Sequence, residues 1–387
     1  MLKIAIPLSS FKGDQWIGGV NYFRNLLLAT NRFSEGRYQI TLLTARPELF
    51  SDVSGVFARA ECWAGVLPIV SRAAKKLGPH DFDFFLLRKL KRERYDLISH
   101  VHIGRQQDIA TLPWVPDFQH RMLSHLFSTQ ELKQREKNIA MSAYFGRLLV
   151  SSQSAKEDFQ RCYSFADRVH VSVLKFYSLI EPIRESSTTR SEICARYRIP
   201  ERYFYVPNQF WQHKNHRILI EAMSRCRNQA EIVCSGKTED YRNPAYFREL
   251  LTYARKLGVE KRFHVLGVIP YEDVISLMRH AMAVINPSLF EGWSTTVEEA
   301  KALGKRILLS SIPVHLEQAP DHAWYFPPND SAQLAELLDR VSGEWTEAAE
   351  FERMAHAASM QPNNRRAFID EFYSIARACV MGGSGSV

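Results

Sequence analysis

The chain has 387 residues, 45% of them hydrophobic, 12% aromatic and 24% charged, with a formal net charge of +8 at pH 7. That length exceeds the usual single domain of ~100–200 residues and supplies apolar material for two cores. No apolar run approaches the roughly 18 residues that a membrane-spanning helix needs. The basic excess comes with no RNA- or DNA-binding signature, so nucleic acid is set aside in favour of another anionic partner or none.

The opening MLKIAIPLSS reads as a buried first strand, Leu2–Leu8, rather than a signal peptide. Gly18 and Gly19 follow and open a helix over 20–33 with Phe23, Leu26 and Leu27 on its apolar face. Paired glycines permit close backbone approach and a helix N-terminus favours anions, although a tight turn accounts for Gly-Gly equally well. FFLLRKLKRER, Phe84–Arg94, interleaves Phe and Leu with Arg and Lys, and Lys75 and Lys76 precede it. Such a stretch either lies on an anionic membrane surface or is a core-packed helix with a solvated basic face. Further strands are predicted at 39–44, 96–101, 147–152 and 168–176, with a helix from Ser154. WVPDFQHRMLSH places Asp117 and His120 after an apolar strand.

The polar stretch EPIRESSTTRSEICARYRIP, 181–200, reads as a linker between a first domain, 1–180, and a second, 201–362, with a last helix at 363–380 available to rejoin the first. In the second half YFYVPN, AEIVCSG, RFHVLG, AMAVIN and RILLSS alternate with helical patterns starting at Lys214, Tyr246, Tyr271 and Thr295. Short strands spaced by 10–15-residue helical patterns mean parallel α/β units, so two doubly wound, Rossmann-like domains facing across a cleft are expected. Ligands of such sheets bind beyond the carboxyl ends of the strands. The six cysteines form no C-x-x-C pair, which points to neither zinc nor a disulfide framework and is compatible with reduced thiols in a cytoplasmic protein. The tail MGGSGSV is expected to be disordered.

PSLFEGWSTTVEEAKALGK places Glu291 in a loop after the strand AVIN and Glu299 in the first turns of a helix. Both carboxylates would then reach the cleft end of the sheet, with the amides of Ser294, Thr295 and Thr296 free to meet phosphate or sugar oxygens. The same letters also offer two capping boxes, Thr295 with Glu298 and Thr296 with Glu299. Local sequence leaves the two readings level.

The wider stretch resembles the E-x7-E segment of retaining glycosyltransferases of the GT-B fold, family 4, with Glu291 and Glu299 in the two Glu positions. The likeness continues through VPNQFWQHKNHRILIEA, YEDVISLMRHA and RILLSSIPVHLEQAP, covering nearly all of 200–340, and more loosely through Gly18-Gly19, WVPDFQHRMLSHLFS and RLLVSSQSAKEDF. It implies that Glu299 binds the ribose hydroxyls of a nucleotide-sugar donor and that Glu291 contacts the donor sugar. Trp293, Ser294, Thr295 and Thr296 would supply backbone donors, and Lys214 would neutralise the diphosphate. The family usually has an Arg five residues before that Lys; here the position is Gln209, so His213 or a first-domain residue would have to compensate. Relatives often carry a His-Asp pair where Pro116 and Asp117 stand, which leaves Asp117 or His120 as the residue at the reaction centre. Base recognition would fall at Ser235-Gly236 (Gly236) and at 267–270 (Ile269).

The implied activity is a metal-independent retaining hexosyl transfer from GDP-mannose or a UDP-hexose to a glycan or lipid-linked acceptor, in bacterial surface polysaccharide, lipopolysaccharide or O-antigen assembly. It needs no cofactor, closes its domains to exclude water, and places the protein in the cytoplasm or peripherally on the inner membrane through Phe84–Arg94. A nucleotide-sugar epimerase of the same fold would share the Glu pair and need no acceptor. A catalytically silent nucleotide- or carbohydrate-binding protein would keep Glu299, and Gln209 is the residue that favours it. Asp81-Phe82-Asp83 spells D-x-D, the metal signature of the other major glycosyltransferase fold, but no apolar strand precedes it, so no metal site is assigned.

Overall fold

Short runs of Ile, Leu, Val and aromatic residues, buried on both faces, make the strands of this chain, which is why its sheets are parallel and covered by helices on either side. The computed structural model describes residues 1–8, 17–63, 83–106, 108–178, 180 and 188–382. It divides into two α/β units, one of Met1–Arg121, Thr129–Leu179 and Pro362–Val387, the other of Met122–Ser128 and Ile180–Gln361. Both are Rossmann-like, as the strand and helix alternation predicts.

In the first unit β1 (Leu2–Leu8), β2 (Tyr38–Thr44), β3 (Ala58–Cys62), β4 (Leu97–His100), β5 (Ala110–Val115), β6 (Arg147–Val150) and β7 (His170–Val173) lie in the order β3-β2-β1-β4-β5-β6-β7. Every pairing is parallel. Helix α1 (Ile17–Phe33) follows β1 and has half-buried Gly18 and buried Gly19 in its first turn. Helix α2 (Phe84–Arg92) is capped by Asp83, whose side chain accepts from the Leu86 amide. It buries Leu86, Leu87 and Leu90 and leaves Phe84 and Phe85 55% and 48% exposed, so it is a core-packed helix with an exposed aromatic and basic face. Short α3 (Gln119–Met122), α4 (Thr129–Ala143) and α5 (Gln153–Cys162) complete the crossovers of the second half of this sheet.

The second unit begins with α6 (Arg190–Tyr197), held by a complete Thr189–Glu192 capping box. Its strands β8 (Phe204–Val206), β9 (Ile232–Cys234), β10 (Phe263–Val265), β11 (Ala283–Asn286), β12 (Ile307–Ser310) and β13 (Ala323–Phe326) run in the order β10-β9-β8-β11-β12-β13. The connecting helices are α7 (His216–Arg225), α8 (Tyr246–Lys256), α9 (Tyr271–His280), α10 (Thr295–Ala302), α11 (Pro313–Gln318) and α12 (Ser331–Glu344). Alternation along each strand fills two cores. Phe204, Val206, Ile232, Ile285 and Leu308 face α7, α8 and α12, while Tyr205, Val233, Val284, Ile307 and Leu309 face α6, α9 and α10. The strand order reverses between β8 and β11, and at that switch point their carboxyl ends open a crevice for ligands.

Helix α13 (Glu347–Met381) serves both units. Its first turns are pinned in the second unit by Glu350, which pairs with fully buried Lys305 at 2.6 Å. Its last turns bury Phe368, Ile369, Phe372 and Ala376 in the first, where Tyr373 stacks on Tyr38. Of the expected linker, 181–187 lie outside the described residues, and 188–200 belong to the second unit. Lys75, Lys76, Asp81, Phe82 and the tail beyond 382 are also outside the described residues. No described helix is long and apolar enough to cross a membrane.

Candidate functional site

The loops after β8 and β11, on either side of the switch point, carry a buried polar network. Beyond β8 the chain turns through Gln212–Lys214 and reaches Asn215 in a left-handed conformation (φ 56), which asparagine tolerates better than most residues. The Asn215 amide donates to the carbonyls of Pro287 (3.2 Å) and Pro328 (2.9 Å), and the Leu289 amide donates to the carbonyl of His213 (2.8 Å), so the two loops are fastened together. Lys214 then reaches Glu291 with Nζ 2.6 Å from Oε1, both side chains mostly buried at 17% and 11% exposure. Burial alone would push the Glu291 carboxyl up, but the Lys214 ammonium overrides it and holds the group well below the usual carboxylate range.

Behind this pair, Ser288 Oγ lies 2.6 Å from Glu291 Oε1 and 2.7 Å from Asn286 Oδ1, with one proton to share between them. Asn286 donates to Ser294 Oγ at 2.7 Å, and Thr296 Oγ1 donates to Asn208 Oδ1 at 3.3 Å. His315 is fully buried, with Nδ1 on the Ser310 carbonyl at 2.9 Å and no partner for Nε2 among the described residues. Burial pushes this imidazole down to about 4, so it is neutral at physiological pH.

Glu299 sits differently. It is 6% exposed, and its Oε1 accepts from the Tyr271 hydroxyl at 2.8 Å. No cation pairs with it among the described residues, and burial pushes its carboxyl up to about 7, with the Tyr271 hydroxyl pulling the other way. It does not cap its own helix. Ser294 is the N-cap of α10, accepting from the Val297 amide, so neither of the capping boxes that the sequence offered, at Thr295 and Thr296, forms. The expectation of three free amides is corrected too. The Ser294 amide donates to Gln318 Oε1 at 3.2 Å, while those of Thr295 and Thr296 meet no acceptor among the described residues.

Around the cation position, Gln209 is half-buried, and His213, 4% exposed, is no substitute charge. Burial, reinforced by the Lys214 charge, pushes its imidazole well below its usual range, so at neutral pH it is an uncharged acceptor for Arg242 at 3.3 Å. Arg242, paired with Asp240 at 3.3 Å and flanked by Trp211, is the cation beside it that the sequence did not single out. Gly236 (φ +134) has a packing role: a Cβ there would stand 2.7 Å from the Asn208 carbonyl oxygen. Its amide, like that of Ser235, is spent on backbone, on Gly267 (2.8 Å) and Val206 (3.1 Å) respectively. Ile269 is half-buried against the core, and Trp293 is half-buried in the Glu291 loop.

Of the remaining candidates, all in the first unit, Gly18 and Gly19 open α1, and Asp117 Oδ1 accepts from the Gln119 amide at 2.9 Å. His120 is 1% exposed, with Nε2 between Glu136 Oε1 (2.9 Å) and the Tyr163 hydroxyl (3.2 Å). Sequence reasoning missed Asn208, Ser288, Gln318 and Tyr271. Asn208 and Ser288 carry a readable signal, polar residues just past the apolar strands β8 and β11. Gln318 has none, because it acts through a fold contact 24 residues back: Nε2 donates to the Ser294 carbonyl (3.1 Å) and Glu298 Oε1 (2.9 Å).

Residues 192–358 match the family described as Glycosyl transferases group 1, a little under half of the chain. A D-inositol 3-phosphate glycosyltransferase of Corynebacterium glutamicum (strain R) is 25% identical over 213 residues, 50% of this chain and 49% of the relative. The O-antigen chain mannosyltransferase RfbU of Salmonella typhimurium (strain LT2) is 24% identical over 142 residues, 36% of this chain and 38% of that one. The chain thus spans about half or less of these curated relatives. Among solved structures, Anabaena Alr3699/HepE in complex with UDP and glucose superposes with a TM-score of 0.68 at 17% identity, covering 99% of both chains, which shows the shared fold.

Proposed function

We propose that this protein is a metal-independent retaining glycosyltransferase that moves a hexose from GDP-mannose or a UDP-hexose to a glycan or lipid-linked acceptor of a bacterial surface polysaccharide. The observation that carries the reading is the pair of carboxylates around the α10 N-terminus: Glu291 neutralised by Lys214, and Glu299 buried with no cation among the described residues. A buried carboxylate without a cation suits neutral hydroxyl donors, which a ribose offers. The Lys214 ammonium and the Thr295 and Thr296 amides suit the diphosphate. The UDP and glucose bound by one structural neighbour support a nucleotide-sugar donor, and the mannosyltransferase name of one relative supports a hexose.

In this reading the bond from the sugar C1 to the diphosphate breaks as the bond from C1 to the acceptor oxygen forms on the same face. The acceptor proton passes to a diphosphate oxygen. Lys214 and the two amides take up the charge gathering on the leaving group, and Glu291 orients the sugar. The exposed face of α2, with Phe84, Phe85, Arg88, Lys91 and Arg92, suits an anionic lipid surface carrying the acceptor. Sedimentation with phosphatidylglycerol vesicles should fall in a Phe84→Ser/Phe85→Ser variant, and equal sedimentation of both proteins would remove the membrane from this account.

Thermal denaturation with GDP, UDP, dTDP and ADP tests the donor site. A nucleotide at 100 times its Kd adds about 2.7 kcal/mol to the native state. One nucleotide should raise the Tm of the wild type and leave Glu299→Ala unmoved. If no nucleotide acts on the wild type, the transferase reading falls.

A further inference from the structure

Resting on that reading, we propose that Tyr271 is the residue that meets the nucleobase: its hydroxyl fixes Glu299 and its exposed ring stacks against the base carried by the same ribose.

Tyr271 is the first residue of α9, entered from the loop 266–270 that follows β10. Gly267 (φ 69) turns that loop, and Pro270, extended at φ −54 and ψ 145, delivers Tyr271 to the start of the helix. Helices α9 and α10 cover the same face of the sheet, so the first turn of one lies beside Glu299 on the other. The ring spans two environments. Its hydroxyl ends on a carboxylate that is 6% exposed, yet the residue as a whole is 42% exposed. A tyrosine tethered at its polar tip presents a flat apolar face at low conformational-entropy cost, which is the arrangement that suits a planar ligand.

The neighbouring groups leave this as the surface for the base. The amides at the end of β9, where base-reading donors were expected, are spent on backbone, and the Ser235 hydroxyl is held by the Tyr205 hydroxyl at 2.5 Å. Val268, in the loop that leads into Tyr271, is 68% exposed. A ribose on Glu299 carries its base on the same five-membered ring as the hydroxyls, so the base cannot lie far from the phenol that touches the carboxylate. Selectivity among bases then comes from stacking and from the edge contacts the 266–270 loop makes, rather than from the β9 amides.

The test is calorimetric titration of the full chain with GDP, UDP, their 2′-deoxy forms and inorganic diphosphate. Tyr271→Leu should weaken the nucleotide by about ten-fold or more while leaving inorganic diphosphate unchanged, since the base loses its ring and the ribose its tethered carboxylate but the diphosphate meets neither. Tyr271→Phe should keep most of the nucleotide affinity but reduce the preference for ribose over deoxyribose, because the carboxylate loses its tether. A Leu variant that binds nucleotide like the wild type overturns the inference, as does one that loses nucleotide and diphosphate alike, which marks a merely structural residue. A wild type that binds neither nucleotide removes the donor reading itself. A wild type that prefers ribose, with Tyr271 variants unaltered, removes the role of Tyr271 alone.

Discussion

Two glutamates eight residues apart occupy opposite electrostatic surroundings in this protein. Glu291 lies in a loop, salt-bridged to Lys214 at 2.6 Å and held well below the usual carboxylate range. Glu299 lies on a helix, touched by one phenol, and is pushed up to about 7. The local sequences, one carboxylate near a Gly-Trp and one in a Thr-rich helix start, do not set this contrast. It comes from what the crossovers bring in: the β8 loop delivers a cation to Glu291, and α9 delivers a neutral hydroxyl to Glu299. The pairing fits a ligand with a charged half and a neutral, hydroxylated half.

Removing the cation is the strongest way to break that contrast. Lys214→Ala leaves the Glu291 carboxylate mostly buried and unpaired, and losing one partner of a buried pair costs about 3–5 kcal/mol, here toward the lower end because both groups keep some solvent. Lys214→Met combined with Glu291→Gln should recover most of that loss in urea denaturation, since no charge is then stranded. On the proposed function, turnover of Lys214→Ala should also fall about 10²–10³-fold, the usual effect of deleting one donor to a developing anion. If single and double variants are equally stable, the pair behaves as a surface contact and the two glutamates differ less than their geometry implies.

How far this contrast could be read in the sequence depends on the range of each contact. The apolar alternation gave both Rossmann-like units, and Tyr271–His280 and the helix from Thr295 begin where their periodicity places them. Strands β3 and β13 were not predicted because their letters lack a clean apolar period: ARAEC alternates charge with alanine, and AWYF is only part-buried. Near the site, the positions of Glu291, Glu299 and Lys214 after strands were legible, while the roles expected of them came from the resemblance to the E-x7-E segment rather than from local spacing. The capping boxes that the letters offered at α10 do not form, because Ser294, one residue before the two threonines, is fixed by Asn286 and takes the cap. His213 looked like a spare cation, yet its burial beside Lys214 makes it neutral. The partners Tyr271 and Gln318 lie 28 and 24 residues from the atoms they bond, and no local pattern reports a contact made through the sheet.

A smaller effect sharpens the comparison through pH. The Glu299 carboxyl is raised in the folded state, so the folded protein retains a proton that the unfolded chain gives up, and stability falls as pH rises from about 4.5 toward about 7. The loss is complete above that value and corresponds to on the order of 3 kcal/mol. Glu299→Gln removes the titration and keeps an oxygen for the Tyr271 hydroxyl. It should therefore stabilise the protein above pH 7 and lose that advantage as pH drops below about 4.5. Glu291 behaves with the opposite sign: its carboxyl is lowered, so its contribution is present above the unfolded value and disappears only as pH falls through the folded one. Glu291→Gln should thus destabilise at neutral pH and approach the wild type in acid. Urea denaturation of the three proteins from pH 2 to 8 reads both slopes, that of Glu299 between about 4.5 and about 7 and that of Glu291 below about 4.5. Parallel curves would mean that Glu299 ionises freely in the folded state and that its burial without a cation is offset by solvent. Opposed slopes would mean that Glu299 keeps its proton in the folded protein up to about pH 7; on the proposed function, in which the carboxylate accepts from ribose hydroxyls, nucleotide binding near pH 7 should then release protons to the buffer.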